Sequence, residues 1–195
     1  EISEWSGMTN SDWNNPNNWF NGVPSATRSA FLLGGVPNEP IVNIEGALAK
    51  DIVLENFMSL TINAGKSFTI NRDFTNDGSL IIKSDASNNG SVIVEGNYTG
   101  TGNATYQRYV TTSANPSDPE GWHLVSSPVD NQNINTFKDD VLRSGAKYAI
   151  ATYDNSLATN RFQYYTDNTG AIAIDAAGFF LKGKGYSVKR TTAGT

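Results

Sequence analysis

From Ala30 onward the chain repeats one pattern: three to five β-branched, aliphatic or aromatic residues, closed by Gly, Asn or Asp. Such runs occupy residues 30–33, 41–44, 52–54, 60–62, 68–70, 80–82, 92–94 and 106–110. Apolar runs this short, bounded by turn formers, predict strands and leave no room for helical periodicity. Their spacing is regular. Ile41, Leu60 and Leu80 open runs 19 and 20 residues apart, and residues 67–76 align with residues 91–100 at an offset of 24. Ser, apolar, Ile or Val, polar turn, aromatic and Thr coincide in that alignment. The polar stretch 85–90 accounts for the longer period, as an insertion that a loop accepts.

A period of 20 to 24 with short strands is the signature of a parallel β-helix, in which each coil buries its apolar positions only by stacking on the next. The competing architecture is an antiparallel sandwich, for which Asn76-Asp77-Gly78 and Asn88-Asn89-Gly90 would be hairpin turns. The repeat favours the solenoid. A solenoid end must be covered, and the stretch before the first run is aromatic and turn-rich: Trp5-Ser6-Gly7, Asp12-Trp13-Asn14, Asn17-Asn18-Trp19 and Gly22-Val23-Pro24. It predicts an N-terminal cap.

The pattern breaks at residues 111–121, polar and with two prolines, which reads as a linker. Beyond it, residues 122–125, 148–153, 161–165 and 179–188 are strand candidates. Ile134, Phe137, Val141 and Leu142 have the spacing of one short amphipathic helix. The expected organisation is therefore all-β: a capped solenoid over 1–110, a linker over 111–121, and a small β-sandwich over 122–195. With few strands and no closing element, that sandwich is expected to be truncated.

Composition narrows the class. Cysteine is absent, which removes disulfides and thiolate metal sites. A net charge of -5 argues against nucleic acid and anionic membranes as partners, and no apolar run is long enough to span a bilayer. Charged residues make up 17% while Asn alone occupies 23 positions, the balance of a turn-rich β protein from outside the cytosol.

Candidate chemistry is sparse. Trp5, Trp13 and Trp19 could offer indole faces to sugar rings with Asn and Asp bonding the hydroxyls, or could pack over the first coil and close it. Sequence position alone leaves both open. The clusters Asp12-Asn14-Asn15, Asp73-Asn76-Asp77 and Asp85-Asn88-Asn89 carry oxygen ligands, yet they lack the regular spacing of a calcium loop and serve equally as turns. His123 is the lone histidine; a nucleophilic device would have to pair it with Ser126 or Ser127 and Asp130. Charges along the repeat are dispersed, without the paired carboxylates a glycosidase needs. A non-catalytic chain without cofactor or metal is expected, with other protein chains or surface glycans as partners.

The Trp5-Ser6-Gly7, Asp12-Trp13, Asn17-Asn18-Trp19 and Gly22-Val23-Pro24 order resembles the opening of many large secreted proteins of Bacteroidota. The repeat 60–70 and the Asn76-Asp77-Gly78-Ser79-Leu80 turn share the likeness. So do Tyr106-Gln107-Arg108-Tyr109-Val110, Trp122-His123-Leu124-Val125-Ser126-Ser127-Pro128-Val129 and Gly183-Lys184-Gly185-Tyr186. The resemblance implies export as a type IX secretion substrate, a surface location and continuation beyond Thr195. It implies no reaction. The expected role is a structural or adhesive module (stalk, spacer or assembly unit), or else a glycan-binding accessory to a polysaccharide-degrading enzyme.

Overall fold

A computed structural model describes residues 1–112, 120–166 and 178–195. The chain divides into two compact units, Glu1–Arg108 and Tyr109–Thr195.

The first unit is a parallel β-solenoid of about four coils. Its strands are β1 (Ile2–Trp5), β2 (Trp19–Phe20), β3 (Ser29–Leu32), β4 (Ile41–Val42), β5 (Ala47–Ala49), β6 (Ile52–Leu54) and β7 (Ser59–Ile62). They continue as β8 (Ser67–Ile70), β9 (Phe74–Asn76), β10 (Ser79–Ile82), β11 (Ser91–Val94), β12 (Tyr98–Thr99) and β13 (Asn103–Tyr106). Three sheets form, ordered β12-β9-β6-β3-β1-β2, β13-β10-β7-β4 and β11-β8-β5. Every pairing is parallel except β1 with β2. Residues 41–100 thus run as stacked coils and not as the rival hairpins. Leu60 stands beside Leu80, and Phe68 beside Val92, the 20- and 24-residue offsets of the sequence.

Alternation sends one residue in two inward. Inward columns run Ala30–Ile52–Phe74, Leu60–Leu80–Ala104 and Ala49–Ile70–Val94, and they join in one core. Each fully buried large side chain contributes about 1.5–3 kcal/mol, so stacking supplies what no single coil could. Through β10 these positions are buried; in the final coil Val92, Val94 and Ala104 are partly buried and Tyr98 is exposed. Tyr98 lies edge-on over Phe74, ring centroids 5.3 Å apart, and its hydroxyl accepts from the buried Asn76 Nδ2 at 2.7 Å.

Of the two suspected hairpin turns, Asn76-Asp77-Gly78 is a coil corner: Asp77 N–H donates back one coil to Leu54 O, and Asn76 Oδ1 accepts from Gly78 N–H. A Cβ on Gly78 would collide with the carbonyls of Glu55 and Met58, which explains the glycine. The second turn does reverse locally, bridging Ser84 to Asn89, before the chain rejoins its coil. Residues 85–90 are therefore the expected insertion.

Two non-glycine residues of this unit, Asn21 and Phe57, have a positive φ, and Phe57 is the bulky one. It is the third residue of the Glu55–Met58 turn, with φ of 65°, and its side chain is 98% exposed. That position of a type II turn selects glycine, because Cβ crowds the left-handed region. Phe57→Gly is expected to raise stability by about 1 kcal/mol, read from the urea midpoint; an unchanged or lowered midpoint would show that Phe57 makes an uncounted contact.

The second unit holds β14 (His123–Val125), α1 (Ile134–Phe137), β15 (Arg143–Ser144), β16 (Lys147–Tyr153), β17 (Phe162–Thr166) and β18 (Tyr186–Val188). These strands form one antiparallel sheet in which β16 pairs with β15, β17 and β18, and β18 with β14. Of the expected sandwich, the described residues contain this sheet and a helix against it. Ile134 and Phe137 pack with Tyr148, Ile150, Tyr165 and Val188. The helix is shorter than the 133–143 spacing suggests. It passes into a 3-10 turn at Lys138–Asp140, and Val141 turns extended to bridge Arg190.

Residues 113–119 of the expected linker lie outside the described residues. Val110 bridges Gly194 and the Thr112 hydroxyl donates to Arg190 O at 2.7 Å, so both belong to the second unit. The division consequently falls after Arg108, two residues before the expected end of the solenoid.

Candidate functional site

The N-terminal end of the solenoid holds the residues first considered as a ligand platform. Pro16–Asn18 forms a 3-10 turn, with Asn15 at its N-cap accepting from Asn17 N–H and Pro16 opening it. The turn delivers Trp19 into β2, antiparallel to β1, where Trp19 stands opposite Trp5. Trp13 enters from the preceding loop, whose N–H donates to Ile41 O at 3.0 Å.

All three tryptophans are buried: Trp5 and Trp13 are 1% exposed and Trp19 6%. Trp19 meets Trp5 edge-on at 4.9 Å and Trp13 at 4.7 Å, and Trp13 meets Phe68 of the core at 4.8 Å. The Trp5 indole N–H donates to Asn38 O and that of Trp19 to Trp13 O, each at 2.7 Å. Their ring faces are consumed by one another and by the column beneath. Trp5, Trp13 and Trp19 are a plug and offer no open platform for a sugar, because the apolar end of the column is the larger demand.

Asn18 organises this plug, and sequence reasoning did not single it out. It is fully buried, and its side chain makes four hydrogen bonds. Oδ1 accepts from Thr9 and Asn10 N–H at 3.0 and 3.1 Å, while Nδ2 donates to Asn10 Oδ1 at 2.8 Å and Asp12 O at 2.9 Å. The only signal was its place amid an Asn-rich turn, which its neighbours share.

The suspected ion ligands hold backbone instead. Asp12 accepts from Asn14 N–H, and Asp85 from the N–H groups of Ser87 and Asn88. At one solenoid corner such bonds climb from coil to coil. Ser29 Oγ donates to Asp51 Oδ2 at 2.9 Å, Asp73 N–H to Asp51 Oδ1 at 3.3 Å, and Asn97 to Asp73 Oδ1 through its N–H at 2.9 Å and Nδ2 at 3.1 Å. Asp77 receives Thr101 in the same manner at the next corner. Asp51 accepts through both oxygens and Asp73 and Asp77 through Oδ1 alone, in each case from N–H or O–H donors of a neighbouring coil, a clasp between coils. Among the described residues no three His, Cys, Asp or Glu side chains gather in reach of one ion.

The backbone and side-chain N–H donors of Asn97 hold the Asp73 carboxyl below its ordinary value of 3.8. A carboxyl depressed by folding contributes stability that is complete above 3.8 and is lost as pH falls through the lowered value. The stability that this carboxyl contributes should therefore be lost as pH falls below 3.8, alongside that of Glu1 and Asp85, which their own donors also lower. Asp73→Asn, which keeps an acceptor without a charge, should remove the Asp73 share of that limb. Melting temperatures between pH 2 and 5 measure it, and parallel wild-type and mutant curves would refute the clasp.

His123 does not meet the partners a triad requires. Its Nε2 lies 3.0 Å from Thr111 O and 3.2 Å from Thr111 Oγ1. Ser127 Oγ donates to Val129 O, and Asp130 pairs with Lys182 at 2.9 Å. These contacts shape the loop after β14.

A family described as "Domain of unknown function (DUF8693)" matches residues 4–195 of the chain. No curated protein and no solved structure matches it.

Proposed function

The chain belongs to the DUF8693 family, a domain of unknown function, and from that starting point we propose that it is a non-catalytic structural module of a large secreted cell-surface protein. It serves there as a stalk, spacer or assembly unit, exported by type IX secretion, with other protein chains or surface glycans as its partners. The observation that carries this reading is the solenoid core. Three parallel sheets stack in register, plugged by tryptophans at one end and clasped at the corners by Asp and Asn. Such a column is held by stacked apolar side chains and hydrogen-bonded corners, with no cysteine to form a disulfide, which suits a stiff spacer. Low charge and 23 asparagines agree with that setting.

Antibodies raised against the 195-residue chain test the location. Labelling of intact cells or of the medium is the expected result, and labelling only after lysis overturns the surface role. Incubation of the purified chain with neutral glycans and polyuronates should release no reducing sugar. Turnover that co-purifies with the chain and disappears from a heat-unfolded sample would overturn the non-catalytic reading.

A further inference from the structure

The exposed aromatic rings of the second unit collect on one face of its sheet. Register decides which side chains share that face: Tyr153 stands opposite Phe162, Tyr164 opposite Ala151, Ala151 opposite Ser187, and Ser187 opposite Leu124. Trp122, two residues before Leu124, falls on the same side, and its ring meets Tyr164 edge-on with centroids 6.4 Å apart. Tyr153 and Phe162 make a second edge-on pair at 5.2 Å. The other face of the sheet is spent on the core of Ile134, Ile150, Tyr165 and Val188. Trp122 is 37% exposed, Phe162 47%, Tyr153 54% and Leu124 86%, whereas the other tryptophans of the chain are buried.

Two cations stand among these rings, with the Asp154 carboxylate beside them on the same hairpin. The Lys147 ammonium stands 5.6 Å from the Tyr164 ring centre. Arg161 directs Nη1 to the Tyr153 hydroxyl at 3.0 Å and Nε to Leu157 O at 2.8 Å. Neither cation meets a carboxylate among the described residues; nearby Asp154 is engaged by Ser156 through its N–H and hydroxyl. The hairpin beside Arg161 adds the exposed amides Asn155 and Asn160.

We propose that this face binds an anionic polysaccharide, a chain of pyranose rings bearing carboxylates. Ring C–H faces have the indole of Trp122 and the Tyr153–Phe162 pair to rest on, and Asn155 and Asn160 donate to and accept from hydroxyls. Lys147 and Arg161 supply the complementary charge. Phe162 and Tyr164, two residues apart on one strand, place the two ring pairs about 7 Å from each other, so an extended glycan crosses both. The cations favour uronates over neutral sugars. This assignment goes beyond the spacer role and does not depend on it.

Affinity electrophoresis of the full 195-residue chain tests it, with gels containing alginate, polygalacturonate or a neutral β-glucan. The acidic gels should retard the chain, the neutral gel should not, and added salt should relieve the retardation. The double variant Lys147→Gln, Arg161→Gln alters exposed groups outside the core, and it should weaken binding about tenfold or more. Trp122→Ala should do the same, with circular dichroism establishing that the sheet persists; Trp122→Phe should retain most of the binding. Free migration in both acidic gels, equal retardation in neutral glucan, or retardation that survives the charge variant would each overturn the proposal.

Discussion

Trp13→Ala is expected to destabilise the solenoid unit by about 4 kcal/mol, the largest effect of any single substitution here. Trp13 links the plug to the column: its ring lies against Trp19 on one side and Phe68 on the other, and its carbonyl receives the Trp19 indole N–H. Alanine removes the ring from a site 1% exposed to solvent. The surrounding indoles and the β5–β8–β11 sheet cannot close over the gap without losing their own contacts. Urea unfolding followed by far-ultraviolet circular dichroism measures the loss. The matched control is Trp122→Ala, which removes the same ring from the second unit and should leave the solenoid transition in place. A midpoint for Trp13→Ala within a few tenths of a molar of wild type would contradict the plug.

Asn18→Ala comes second, at about 3 kcal/mol. The substitution strips partners from two N–H groups, Thr9 and Asn10, and from Asp12 O, around a residue with no exposed surface. Asn18→Asp separates hydrogen bonding from shape. A carboxylate still accepts from the two N–H groups but turns its second oxygen towards Asn10 Oδ1 and Asp12 O, where Asn18 donates. Both variants should therefore be destabilised, and amide exchange at Thr9 and Asn10 should quicken in the alanine variant and stay protected in the aspartate one. Equal protection at those two amides in all three proteins would show that the loop is held by other means.

Much of the solenoid was legible in the sequence. Ser67–Ile70 and Ser91–Val94 repeat the same in-and-out order because successive coils must present like residues to one core, and the spacing between them counts the residues in a coil. The pattern misses Ile2–Trp5 and Tyr98–Thr99 because they are short and set among turn formers, and two further strands because their residues carry weak strand signals. Ala47-Leu48-Ala49 is built on alanine, and Phe74-Thr75-Asn76 ends in a turn former. They are strands since the neighbouring coils offer them partners, a contribution that a single segment does not contain. Asn76 illustrates this most sharply: read alone it opens a turn, yet it sits inside the column because the Tyr98 hydroxyl and Asn103 O meet its amide.

For the candidate sites the balance reverses. Indole faces suit a sugar and a hydrophobic column equally, so the letters Trp5, Trp13 and Trp19 contain no decision between them; the neighbours at 4.7 to 4.9 Å make it. Trp122 looked like one residue of a strand, and its companions Tyr153, Phe162 and Tyr164 lie 31 to 42 positions away. Only antiparallel register brings those rings to one face with Lys147 and Arg161.

By itself the sequence determined the all-β character, the coil period, the polar insertion at 85–90 and the need for a cap, because each follows from local periodicity and from the demand that apolar residues leave water. Tertiary structure alone decided which aromatic residues are spent in closing the column and which remain outside. That outcome depends on contacts between segments far apart in the chain, where the same side chain is stable in either place until its neighbours are set.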